Sequence, residues 1–175
     1  MTSRFVYAGC GLLLALVAIV APAQTGVPST EQMIEKLATP PRTRSLRNLI
    51  VEPGTPNAQN TEERPSLSLL IQFDFDSARV KPESRQALSN LSEAMKSDKL
   101  AGARFAIEGH TDARGRADYN LRLSEQRAEA VRALLRDAGV EEARLVASGK
   151  GSTEPANKDE PNAAENRRVR IVNLQ

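Results

Sequence analysis

Between Arg104 and Gly139 the chain passes from a strand pattern to a helix pattern through a short polar loop, and this junction constrains the fold most. Arg104 to Glu108 reads as a strand that Gly109 ends. From Asn120 to Gly139 the apolar residues fall at Leu123, Val131, Leu134, Leu135 and Ala138, the spacing of one helical stripe. At about 100° per residue, Arg127 lies near the middle of that stripe, between Leu123 and Val131. A guanidinium cannot escape burial by losing its proton, so a buried arginine needs a carboxylate. Asp112, on the loop before the helix, is one candidate, and the acid of a bound ligand is another. The third reading is an arginine that only snorkels past the edge of the core.

The rest of the C-terminal half continues the alternation. Leu67 to Phe75 reads as a strand, and Pro82 to Met95 as a helix with Leu88, Leu91 and Met95 on its apolar face. Pro82 suits a first helical turn. The second helix runs from Ala117 or Asn120 to Ala138, and Gly139 stops it. Arg144 to Ser148 is a third strand, Ser152 to Ala164 a polar loop, and Arg168 to Leu174 a last strand. Such an order predicts an α/β fold, a two-layer sandwich in which one mixed β-sheet carries the helices on one face.

The N-terminal part reads differently. Residues 1–23 have the layout of a secretory signal: Arg4, the apolar run Gly11 to Val20, then Ala21-Pro22-Ala23 as a cleavage site before Gln24. An uncleaved anchor is the alternative, because the uncharged run from Phe5 to Ala21 is at the lower limit for a membrane span. Ala8-Gly9-Cys10 resembles the end of a lipobox, but the apolar core follows the cysteine instead of preceding it. Residues 24–65 read as a largely flexible linker with one short helix. Ser29-Thr30-Glu31-Gln32 has capping character, Met33, Ile34 and Leu37 share a face, and Thr39-Pro40-Pro41 stops the helix. Isolated, so short a helix is marginal. Leu46, Leu49, Ile50 and Val51 form a short strand or a docking patch, and Glu52 to Pro65 is a solvated run. Residues 66–175 are the globular domain.

Composition excludes several functions. The chain has 24 Lys and Arg against 22 Asp and Glu, and loss of the leader removes only Arg4. Such near-neutrality argues against nucleic acid as a partner, which calls for a basic face. Aromatic residues make up 3% of the chain, too few for a platform on which single strands stack. Cys10 is the one cysteine, so removal of the leader leaves no disulfide, thiolate metal site or cysteine nucleophile. His110 is the one histidine, so no histidine cluster holds zinc. His110-Thr111-Asp112 beside Ser124 lacks the nucleophile elbow that acyl transfer uses. Ser148-Gly149-Lys150-Gly151-Ser152 lacks the upstream glycine of a phosphate loop.

Four runs carry a resemblance: Phe73-Asp74-Phe75-Asp76, the stretch from Gly109-His110-Thr111-Asp112 through Tyr119-Asn120 to Arg127-Ala128, Gly149-Lys150-Gly151 with Pro155, and Asn166-Arg167-Arg168-Val169. In order and spacing, over about Leu67 to Leu174, they resemble the peptidoglycan-binding domain of the OmpA family. The resemblance implies the sandwich already expected, no catalysis and no cofactor. It implies that Asp112 and Arg127 grip diaminopimelate in the peptidoglycan stem peptide. Asp76, Thr111 and Asn120 then line the pocket, with the Val169 region at its rim. The ligand suits those residue types, since its side-chain end carries an ammonium for an aspartate and a carboxylate for a planar guanidinium. Each lining residue also has a plainer reading. Thr111 and Asn120 cap the helix or its preceding turn, and Asp74 and Asp76 close the first strand. Lys150 stands where the family often has an aromatic; it faces anionic wall groups or is simply solvated.

The expected function is non-catalytic wall binding in the periplasm of a Gram-negative envelope, next to the outer membrane, with an outer-membrane or envelope protein as a further partner. A membrane-anchored wall-binding subunit of a larger complex, stator-like or scaffold, is the alternative. Phe5 to Ala21 lacks the acid that an ion-conducting span carries.

Overall fold

The computed structural model describes residues 26–38 and 64–175. The signal expectation for residues 1–23, and the docking patch and most of the solvated run expected between Leu46 and Pro65, lie outside them. The described elements are α1 (Thr30–Ala38), β1 (Ser66–Leu69), α2 (Arg85–Lys96), β2 (Phe105–His110), α3 (Ala117–Asp137), β3 (Leu145–Gly151) and β4 (Val169–Asn173). The strands form one sheet in the order β1-β4-β2-β3. β2 and β3 are parallel, while β4 runs antiparallel to both β1 and β2. The fold is the expected two-layer α/β sandwich with a mixed sheet.

Register explains which face is buried. Leu67, Ile171, Ile107 and Ala147 lie in one row across the sheet, and Leu69, Val169, Gly109 and Gly149 in the next. Side chains alternate along each strand, so these rows share the helix-facing side. Phe105, Ile107, Ile171, Leu91, Met95, Val131 and Leu135 fill the layer between sheet and helices. Arg144 closes the end of α2 by donating to the carbonyls of Met95 and Leu100 at 2.8 and 2.7 Å and to that of Ala103 at 2.8 Å.

The helix α3 is turned from the orientation its apolar spacing suggests. Its buried residues are Asn120, Ser124, Ala128, Val131 and Leu135, whereas Leu134 is exposed. Small residues face the sheet because the backbones meet there. A Cβ on Gly109 would land on the Ser124 carbonyl oxygen, and one on Gly149 would lie 2.6 Å from Ser124 Oγ and 2.7 Å from the Leu121 carbonyl. The Ser124 hydroxyl donates to Leu121 O at 2.7 Å and accepts from Gly151 N at 2.9 Å, which ties helix to strand. Arg127 therefore flanks the buried stripe instead of lying in its middle.

Two further differences follow from local hydrogen bonding. The first strand stops at Leu69, because Ile71 N turns back to Leu69 O at 3.0 Å and leaves Leu70 exposed. Residues 72–81 then form a small hairpin: Lys81 N bonds Gln72 O, Asp74 N bonds Arg79 O, and Phe73 bridges Val80. The second difference is α1. Its capping box forms, with Gln32 N bonded to Ser29 Oγ at 3.3 Å and Ser29 N to Gln32 Oε1 at 3.0 Å. The helix is no detached piece of a linker, however. Met33 and Leu37 are both 0% exposed and belong to the main core. Asn173 Nδ2 donates to Leu37 O at 2.9 Å, and Asn90 Nδ2 to Pro28 O at 2.9 Å. Tertiary burial supplies what so short a helix lacks alone.

Candidate ligand-binding site

The site lies beyond the C-terminal ends of β1 and β2, where the 72–81 hairpin, the 111–116 loop and the start of α3 converge. Backbone contacts fix that loop. Thr111 N bonds Gly151 O at 2.9 Å, Ala113 N bonds Pro161 O at 3.0 Å, and Gly115 supplies a φ of +90°. Asn120, buried in the first turn of α3, donates through Nδ2 to Arg114 O at 2.9 Å and Asp112 O at 3.3 Å. The plainer reading of Asn120 accounts for its amide nitrogen: it staples the loop to the helix.

A cleft of about 470 Å3 opens between hairpin and loop. Asp76, Thr111, Asp112, Asn120 and Arg127 all line it, together with Phe73, Tyr119, Arg114 and Arg167. Asp76 is exposed at the hairpin tip with a φ of 50°, a left-handed conformation that aspartate tolerates. Asp74 is held by the hairpin backbone and lies 3.9 Å from Arg79. Phe75 at the tip is fully exposed. The Thr111 hydroxyl is buried and has no partner among the described residues.

Val169 is placed differently from the expectation. Its side chain is 1% exposed and lies beside Leu69 on the core side of the sheet, and it is not among the residues that line the cleft. Arg167, in the turn that leads into β4, lines the cleft instead.

The electrostatics centre on Asp112. Its Oδ2 accepts from Arg167 Nη1 at 2.8 Å and from Arg114 Nη2 at 2.9 Å and Nε at 3.2 Å. Its Oδ1 accepts only from Arg114 N, at 3.2 Å. Burial alone pushes the carboxyl up, but the hydrogen bonds from Arg167 and Arg114 outweigh it and hold the group below the usual aspartate range. The Asp112–Arg127 ion pair does not form. Arg127 donates through Nε to Ser77 O at 3.0 Å and lies over the Phe73 ring, 4.8 Å from its centroid. Among the described residues it has no carboxylate partner. Burial and the neighbouring Arg167 disfavour its charge, and Asp112 and Asp76 support it from across the cleft. Arg114 and Arg167 escape a sequence reading that looks for one acid and one base. The available signal is a second cation two residues after Asp112 and the Asn166-Arg167-Arg168 run.

Lys150 is partly exposed and is not among the residues that line the cleft. It pairs with Glu108 at 3.5 Å and Glu154 at 3.3 Å on the open face of the sheet, where Arg170 also reaches Glu108 at 3.7 Å. The Glu108 charge is the main reason that its ammonium is held above the usual lysine value. Among the described residues no group of His, Cys, Asp and Glu could hold a metal ion, and no helix is long and apolar enough to cross a membrane.

The cleft of this α/β sandwich thus brings carboxylates, guanidiniums and aromatic rings together with the Thr111 hydroxyl and the Asn120 amide. Residues 72–169 match the OmpA family, and the chain belongs to that family. It is 35% identical over 127 residues to outer membrane protein A of Bordetella avium, covering 67% of this chain and 64% of that protein. It is 41% identical over 101 residues to the peptidoglycan-associated lipoprotein of Pseudomonas aeruginosa, covering 57% of this chain and 58% of that one. The crystal structure of the peptidoglycan-associated lipoprotein from Burkholderia pseudomallei superposes with a TM-score of 0.52 at 36% identity, over 61% of this chain and 89% of that one. The chain thus spans somewhat under two thirds of the length of these curated relatives.

Proposed function

We propose that this protein binds peptidoglycan without catalysis, through the free amino-acid end of diaminopimelate in the stem peptide. The observation that carries the reading is Arg127. Its guanidinium lines the cleft, stacked on Phe73 and anchored through Nε alone, with no carboxylate paired to it among the described residues. A charge so placed calls for an acid from the ligand. Asp112 across the cleft has an oxygen, Oδ1, whose one bond is to the Arg114 amide, and it suits the ligand ammonium. A zwitterionic end matches both groups, and ordinary peptide side chains do not. The relatives named for peptidoglycan association support the same reading.

On this reading the chain is exported by residues 1–23, and the folded domain works in the periplasm near the outer membrane. Attachment or organisation of the outer membrane–wall layer, together with another envelope protein, is the role that such a binder would serve.

The test is titration of the mature protein with two stem peptides, one containing diaminopimelate and one containing lysine, which lacks the terminal carboxylate. Losing one member of a hydrogen-bonded, partly buried charge pair costs about 2–5 kcal/mol, or roughly thirty-fold or more in affinity. The diaminopimelate peptide should therefore bind at least that much more tightly, and Arg127→Ala should erase the difference. Arg127→Lys should fail too, since a point charge does not reproduce the planar fork. Equal binding of both peptides by the parent protein would show that Arg127 has a purely structural role.

A further inference from the structure

A second compartment lies behind the cleft, and the two share Phe73, Arg127 and Arg167 as a common wall. Its volume is about 370 Å3, and His110, Arg168 and Ala164 complete the part that matters here. The compartments differ in charge. The cleft sets Asp74, Asp76 and Asp112 among its arginines, whereas the second compartment is lined by Arg127, Arg167 and Arg168 with no acid among the described residues.

Its two innermost polar groups lack partners. Arg168 is 9% exposed; its Nη2 donates to Glu154 O at 3.0 Å, and Nε and Nη1 are buried without an acceptor among the described residues. His110 is 2% exposed, and neither ring nitrogen has a partner among the described residues. Buried donors are nearly always satisfied, so unpaired ones call for an acceptor from outside the chain. Burial, with Arg168 beside it, lowers the His110 pKa to about 4, so at neutral pH the ring is uncharged and offers one donor and one acceptor.

We infer that this compartment is a second anion subsite, which takes another carboxylate of the same peptide whose amino-acid end occupies the cleft. The inference rests on the peptide-binding reading above. The carboxylate that meets this geometry is the α-carboxylate of a peptide that terminates at the gripped residue. Arg127 and Arg167 stand between the two compartments and face the carboxylate from one side, while Arg168 faces it from the other. The protein then distinguishes a stem that ends at this residue from one that continues or is amidated, because only the free terminus brings the second negative charge.

The experiment uses two peptides ending in diaminopimelate, identical at the side-chain end, one with a free α-carboxylate and one with an α-carboxamide. Both are titrated into the mature protein by calorimetry. The free acid should bind about tenfold more tightly or better, as for a charge-assisted hydrogen bond. In Arg168→Gln the ratio should fall to near one. Should that variant fail to fold, Ala164→Phe, a substitution at an exposed lining position, narrows the compartment and should lower the ratio as well. Equal affinity of the parent for both peptides overturns the subsite and leaves the cleft reading intact. A ratio that survives both variants also overturns it. Binding of neither peptide overturns both readings.

Discussion

Replacing Leu37 by alanine tests whether the domain begins at α1 or only at β1. Leu37 is fully buried in the main core, against elements that include α2, β1 and β4. Removing such a side chain loses its transfer free energy and leaves a cavity, together about 2–5 kcal/mol. The Asn173 bond to the Leu37 carbonyl is a main-chain contact and survives the substitution. Small domains have about 5–15 kcal/mol of stability in all, so the loss is a large share of it. Urea unfolding followed by circular dichroism should show a lower midpoint with an unchanged slope. Ile34→Ala is the internal control: Ile34 is only partly buried on the same helix, and its loss should cost less. A chain that begins at Ser66 loses Met33 and Leu37 together and uncovers the core they fill. It should unfold at a much lower temperature than the longer chain. If Leu37→Ala unfolds within about 0.5 kcal/mol of the parent, the range of an ordinary surface substitution, then α1 is undocked in solution and the argument fails.

Two further outcomes are expected. Gly109→Ala drives a Cβ into the Ser124 main chain, where no rotamer relieves the clash; it should cost at least about 3 kcal/mol, the upper part of the overpacking range, and a melting curve close to the parent's would refute the close approach. Stability should also fall in acid. The His110 ring titrates at about 4 in the folded chain against an ordinary 6.5, so between those values the unfolded state binds more protons and stability rises with pH, reaching its full value above about 6.5. At about 1.36 kcal/mol per pH unit the span is on the order of 3 kcal/mol, and His110→Gln should flatten the slope in that window while leaving the lower-pH fall due to Asp112. An unchanged slope would mean that His110 is solvated.

The sequence by itself determined the class of fold, because alternating period-2 and period-3.6 segments leave few architectures that bury both. The Gly109 to Ala128 run marked the site, with Asp112 and Arg127 in it, since those residue types in that order carry recognisable chemistry. Only the tertiary structure decided how the groups meet. Local spacing centred the α3 stripe on Leu123, Val131 and Leu134. The sheet instead selected Asn120, Ser124 and Ala128, because Gly109 and Gly149 let the backbones approach and only small residues fit between. The partners of Asp112 come from two residues away and from the far end of the chain, and no periodicity links Asp112 to Arg167. Val169 and Arg167 show the same limit: they are two residues apart, but Val169 begins β4 and is held in the core by its register with Leu69 and Gly109, whereas Arg167 lies in the turn before the strand and reaches the cleft. Likewise α1 carries its own capping signals, but nothing local says that it docks. That depended on an open end of the core between α2 and β1, which exists only once those elements have assembled.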